Sequence, residues 1–409
     1  MMKRLHLSCV ALKLVSAARR AERAAKNLQL DRDTGISGGF IEPLGSAYRG
    51  NAGMTKAAIR LVALLSGWLH PVSQPGLNLS DEIPELIALA RYTKMIGLLR
   101  TGSASLGVSL PPRLAEETER AQAQILMTNL RIFGVVARLA DIMERQAYPY
   151  FFAKGPLRSE QVYGAADVRV SRDLDVFVQK EHYWPTAALL EQELEYCCLV
   201  AKDDRWWHEF LGESPFRPRE GGGLTIDLHN QLQQPGGPYP VNPGKFFDRR
   251  VARPVGRSSA YILLPEDALM LTAINFGKAL RSGEPWIGYA HELLYSLRDQ
   301  PPAAEQRLMA LAQEYQVSRL FNEFVWCAKS VFNAHQQAAA QPSSIIRDRL
   351  VLSACGIKPL GLFGRTRASW RWAEGSGLQR LQRLGMALSV ELQSRIARRN
   401  SAILSQEPE

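Results

Sequence analysis

Residues 151–178 read FFAKGPLRSEQVYGAADVRVSRDLDVFV. The run from Tyr148 to Ala153 is short, aromatic and β-prone; Lys154 and Gly155 end it, and Pro156 stands where a helix can begin. The segment PLRSEQVYG closes at Gly164, a residue suited to the left-handed conformation that ends helices, and VRVSRDLDVFV then returns as a second strand. The order is strand, tight turn, helix, strand. Residues i and i+2 of a strand share a face, so Asp173 and Asp175 project together while Leu174, Val176 and Val178 project to the other side. Two carboxylates that close repel and raise each other's pKa unless a cation lies between them. Hard oxygen ligands in low number suit Mg²⁺, with Mn²⁺ as the alternative.

An isolated D-x-D more often marks the solvent face of an edge strand. Two neighbouring signals favour chemistry here. Upstream, the Gly155 turn can point backbone N–H groups at phosphate, although Pro156 has none to give. Downstream, GGGLTIDLHNQL (221–232) alternates as a further strand, with Leu224, Ile226 and Leu228 on one face and Thr225, Asp227 and His229 on the other. Asp227 can then supply a third carboxylate, with His229 beside it as an accessory group. The aromatic group Trp206, Trp207 and His208 could stack on a base; packing in a core is the commoner role.

Outward from this α/β segment the pattern is helical. IPELIALARYTKMIGLL and the long PPRLAEETERAQAQILMTNLRIFGVVARLADIMERQ place apolar residues three and four apart, as does PPAAEQRLMALAQEYQVSRLFNEFVWCAKSVFNAHQQ near the C-terminus. The fold expected is α+β: a small mixed sheet flanked by N- and C-terminal helical regions. The divisions expected are an N-terminal extension over 1–53, Gly-rich, poorly periodic and disordered or non-native, a helical region over 54–147, an α/β core over 148–264, a helical region over 265–340 and a basic helical tail over 341–409. Met54 opens a good helix and offers an alternative start.

The net charge of +10 over 409 residues suggests a nucleic-acid partner until it is located. Residues 1–53 carry nine Lys/Arg against four Asp/Glu, and residues 365–400 carry eight Arg against two Glu, which leaves about +1 over 54–364. A neutral body disfavours long nucleic acids. The longest apolar window, KAAIRLVALLSGWLHPV, is broken by Arg60 and Pro71, so no transmembrane segment is expected. Five cysteines with no C-x-x-C spacing indicate neither a metal site nor a disulfide framework and fit a reducing cytoplasm.

Residues 151–178 together with LTIDLHNQL resemble the uncharacterised nucleotidyltransferase family of the polymerase-β-like superfamily. The resemblance rests on Lys154-Gly155, Tyr163, Arg169 with Asp173 and Asp175, and Asp227-Leu228-His229, and extends over roughly residues 80–300. It implies a nucleotidyltransferase that uses an NTP such as ATP, with Asp173, Asp175 and Asp227 as catalytic and metal-holding residues and Lys154, Gly155, Arg169 and Arg172 contacting the nucleotide. It implies Mg²⁺ and a two-metal in-line mechanism. The acceptor is open among a protein, a peptide and a small molecule, each favoured over long nucleic acid. A nucleotide-sugar-dependent glycosyltransferase, or a non-catalytic nucleotide-binding scaffold, are the alternatives.

Overall fold

The computed structural model describes residues 52–70, 77–79, 81–200, 208, 211–221, 223–233, 237–332 and 344–358, and 367, 368, 370–373, 381 and 385 of the tail. The N-terminal extension to residue 51, most of the basic tail, and Trp206 and Trp207 lie outside these residues.

Four helices come first: α1 (Ala52–Leu69), α2 (Ile83–Tyr92), α3 (Leu99–Ser105) and α4 (Pro112–Arg145). The α/β segment follows as β1 (Tyr150–Phe152), α5 (Pro156–Tyr163), β2 (Asp173–Val178), α6 (Tyr183–Gln192), β3 (Tyr196–Cys198), β4 (Glu213–Pro218), β5 (Thr225–His229), α7 (Gly244–Asp248), β6 (Val251–Val255) and β7 (Ser258–Ile262). The chain then returns to helices, with α8 (Pro265–Ser282), α9 (Ile287–Leu297), α10 (Ala303–Glu314), α11 (Ser318–Phe332) and α12 (Ser344–Ala354).

The strands form one mixed sheet of order β3-β4-β5-β2-β1-β7-β6. β2 runs parallel to β5 and antiparallel to β1, and this places the two acidic strands side by side at the centre. One sheet face packs Tyr150, Phe152, Leu174, Val176, Ile226 and Leu228 against α6 and the C-terminal half of α4. The opposite face turns toward a larger apolar core made jointly by the N- and C-terminal helices, with Phe151 and Phe177 as the sheet's contributions. At 34 residues α4 is about 50 Å long, enough to enter both cores: Leu114, Ala121 and Ile125 belong to the larger one, and Ile132 to Met143 to the other. No described helix is long and apolar enough to cross a membrane.

One local feature differs from the sequence pattern. The strand expected from Val168 begins only at Asp173, because the Arg169 carbonyl accepts a hydrogen bond from Asn129 Nδ2 of α4 (3.0 Å) instead of pairing with a strand. α6 begins at Tyr183, with Pro185 inside the first turn, where no intrahelical N–H is required. Tyr163 packs edge-on to Trp68 (5.7 Å between centroids) and shares a 3.1 Å hydrogen bond with His291 Nδ1.

Candidate active site

The turn after β1 is set by Gly155, which caps α5 at φ 82°, ψ −162°, a region that only glycine enters without strain. A Cβ there would meet nothing closer than Ser171 Oγ at 3.9 Å, so the constraint is conformational and not one of space. Lys154, fixed by the same turn, reaches Asp175 Oδ1 at 2.9 Å.

Parallel pairing of β2 and β5 puts Asp173 opposite Thr225, Asp175 opposite Asp227 and Phe177 opposite His229. All six lie on the face turned toward the helices. His229 stacks on Phe177 (4.4 Å, 9° between planes) and its Nε2 lies 3.1 Å from Asp175 Oδ1. Asp175, Asp227 and His229 each offer a ligand atom within 4.8 Å of the other two. Asp173, Asp175, Asp227 and His229 line one pocket of about 210 Å³ together with Glu213, Lys278 and Tyr289.

The three aspartates are not electrostatically equivalent. Burial alone would raise the Asp175 pKa, but the Lys154 ammonium and His229 hold this carboxyl well below the usual range. Its other oxygen, Oδ2, is buried with no hydrogen-bond partner among the described residues. Asp227 is pushed the other way, to about 7, first by burial and then by Asp173, with Asp175 and Glu213 adding to the shift and His229 opposing it. Glu213, which burial would raise, is held below its ordinary value by His229 at 4.0 Å and Lys278 at 3.7 Å.

The arrangement that decides identity is this register of acidic residues on paired parallel strands behind a Lys-Gly turn. The profile of a family described as "Uncharacterised nucleotidyltransferase" matches residues 80–333. The chain belongs to that family. No curated protein and no solved structure matches it. The match takes in the helices before and after the sheet, so this nucleotidyltransferase is α+β with its acidic pocket roofed by helices from both ends of the chain.

A second cleft of about 330 Å³ adjoins the acidic pocket, sharing Lys94, Lys154, Asp173, Asn275, Glu284 and Tyr289 with it, and is also lined by Gly155, Arg158, Arg169 and Arg172. The nucleotide-contacting residues expected from sequence thus gather in one place. Arg169 is committed there: it and Arg158 grip the same Glu292 carboxylate, Arg158 Nε at 2.8 Å, and Thr272 Oγ1 adds a bond at 3.0 Å. Burial would raise the Glu292 pKa, and the two guanidinium groups bring it below the ordinary value instead. Glu292 is 2% exposed, so Glu292→Ala leaves two cations without their anion; the expected loss is about 3–5 kcal/mol, read as a marked drop in thermal midpoint. A midpoint unchanged from wild type would show that the cluster does not brace the cleft.

Three lining residues carry no recognisable sequence signal. Glu213 lies in ESPFRP, whose two prolines hide a strand, and Lys278 has Asn275 but no acidic residue three or four positions away on its own helix. Lys94 comes from the turn after α2, far from the motif in sequence, and occupies a left-handed position (φ 61°). Burial first, then Lys154, Arg172 and Arg169, lower its pKa, against the attraction of Asp173. His208 is buried against Tyr183 and Ser214, with its Nδ1 3.1 Å from the Tyr183 hydroxyl, which is a packing role and not a stacking platform for a base.

Proposed function

We propose that the protein is a Mg²⁺-dependent nucleotidyltransferase that moves a nucleoside monophosphate from an NTP to a hydroxyl acceptor. The observation that carries this reading is the set Asp173, Asp175 and Asp227 on one face of two paired strands, where an acidic pocket meets a basic cleft. Divalent metal fits these residues. Asp175 Oδ2 is buried with no hydrogen-bond partner among the described residues, and the Asp227 pKa is raised by burial first and then by Asp173, Asp175 and Glu213, a crowding of carboxylates that a cation would relieve. Asp173, Asp175 and Asp227 would hold it, with His229 as an accessory ligand. When bound, the two-metal arrangement neutralises the triphosphate and the developing charge on the leaving pyrophosphate.

The chain's own residues supply the rest. Asp227 would accept the acceptor hydroxyl's proton, its carboxylate kept ionised once a cation offsets the burial and the neighbouring charges that raise its pKa in the metal-free protein. The hydroxyl oxygen bonds to the α-phosphorus in line with the breaking bond to the β-phosphate oxygen, and pyrophosphate leaves. Gly155 lets the backbone approach phosphate, and Lys154 and Arg172 supply positive charge. The near-neutral body supports a protein, peptide or small-molecule acceptor over long nucleic acid. Five cysteines without C-x-x-C spacing support a reducing cytoplasm.

Calorimetric titration of the four NTPs and of UDP-glucose, with and without Mg²⁺, tests the reading without an acceptor. The expected result is Mg²⁺-dependent binding of at least one NTP. Tighter binding of UDP-glucose than of every NTP would favour a glycosyltransferase, and binding of none would leave only a scaffold.

A further inference from the structure

Three hollows lie in a row along the site face of β2 and β5. The basic cleft opens at the start of β2, beside Arg172 and Asp173, and the acidic pocket occupies the middle. A third hollow of about 320 Å³ lies at their ends and shares Phe177, Gln231 and Leu232 with the acidic pocket. Gln179, Lys180, Glu181, Tyr239, Gly244 and Phe247 complete its lining. From Asp173 to Gln179 the strand covers roughly 20 Å, room for a nucleotide and the group it is transferred to. Along β2 the lining thus runs from cation-rich to apolar.

The cations of the first hollow divide into two sets. Lys154 is paired with Asp175, and Arg158 and Arg169 share Glu292. Lys94 and Arg172 make no ion pair and no side-chain hydrogen bond among the described residues, although both line the cleft and both are attracted by the one Asp173 carboxylate. Lys154, Arg172 and Arg169 all repel Lys94, so the hollow keeps a surplus of positive charge that a polyanion would offset. The far hollow has no such demand: Lys180 and Glu181 offset one another, and Leu232, Tyr239 and Phe247 make its wall apolar.

We infer that the substrate lies along β2 with its triphosphate tail on Lys94 and Arg172, and that the acceptor hydroxyl enters from the Phe177–Gln179 end. In-line displacement puts the entering and leaving oxygens on opposite sides of the α-phosphorus, so a tail at one end of the strand assigns the acceptor to the other. Lys94 reaches the site from the helical region before the sheet, and it supplies charge beside a turn where Pro156 offers no backbone N–H. The inference rests on the nucleotidyltransferase reading above.

The test titrates inorganic tripolyphosphate, and the tightest-binding NTP with Mg²⁺, into wild type and the variants Lys94→Met, Lys94→Arg, Arg172→Gln and Gly244→Trp. Lys94→Met is expected to weaken both ligands by about 10- to 100-fold, with most affinity kept by Lys94→Arg. Arg172→Gln, at an exposed position, should weaken both in the same direction and guards against misfolding of the first variant. A Cβ at Gly244 meets nothing within 4 Å, so Gly244→Trp fills the far hollow and should leave both affinities within about twofold of wild type. Wild-type affinity in both Lys94→Met and Arg172→Gln overturns the assignment, as does a loss in Gly244→Trp equal to that in Lys94→Met. If wild type itself bound neither ligand, the nucleotidyltransferase reading would fall along with it; Mg²⁺-dependent NTP binding that is indifferent to Lys94 and Arg172 would overturn the orientation alone.

Discussion

Asp175→Asn is expected to cut Mg²⁺-dependent nucleotidyl transfer by about 10³-fold or more and to destabilise the metal-free protein as well. The first effect follows from removing a charge proposed to hold metal and worth several kcal/mol of transition-state stabilisation, where each 1.36 kcal/mol is about a tenfold change in rate. The second runs against the sequence, in which two like charges on one strand face suggest that removing either relieves repulsion. Asp175 is 2% exposed, and its Oδ1 receives both Lys154 Nζ and His229 Nε2. Its carboxyl is held well below the usual range, so its contribution is present above the ordinary carboxylate pKa and is lost as pH falls below it. Breaking such a pair costs about 3–5 kcal/mol when fully buried; with the Lys154 side chain 42% exposed, about 2 kcal/mol is expected, or roughly 2–4 °C in thermal midpoint. Calorimetric melting in EDTA at pH 7.5 and again at pH 3 checks this. The deficit should shrink in acid, and a variant melting at or above wild type at pH 7.5 would contradict the charge assignment.

That revision shows where sequence reasoning stopped. The period of two along DLDVFV and TIDLH places Asp173, Asp175, Asp227 and His229 on one face of each strand, and the Lys154-Gly155-Pro156 turn announces the link between β1 and α5. Each of these is local. The partner of each carboxylate is not, because it depends on strand register and on which helix lands above the sheet. β4 was equally hidden: Pro215 sits opposite Asp227 inside the sheet, where proline removes a ladder donor and argues against a central strand. The chain uses its remaining capacity there, since the Pro215 carbonyl accepts a bond from Leu199 N at 2.9 Å. β6 carries Pro254 too, but as the terminal strand of the sheet it loses less by it. Lys94 had no local signal at all. It is an ordinary residue after a helix until the fold brings that turn to the mouth of the cleft.

Asp227→Asn should separate catalysis from stability in the opposite sense. It removes the group proposed to take the acceptor proton and one of the proposed metal-holding carboxylates, so transfer should fall by about 10³-fold while NTP binding weakens by less than in Asp175→Asn. In metal-free protein the same change should stabilise. The Asp227 pKa stands at about 7 through burial and then the neighbouring carboxylates, against an ordinary value near 3.8. Between those two values the folded state keeps a proton that the unfolded state has lost, so wild-type stability falls as pH rises from about 4 to 7 and levels off above it. Asparagine carries no such titration. The stabilisation expected at pH 8 is on the order of 2–4 kcal/mol, shrinking to nothing near pH 4, and saturating Mg²⁺ should narrow it by restoring a counter-charge to wild type. Thermal midpoints of both proteins in EDTA across pH 4–8, then with Mg²⁺ at pH 8, measure all three terms. A variant less stable than wild type at pH 8 without metal would mean that burial and the neighbouring carboxylates do not disfavour the ionised Asp227 in the folded protein.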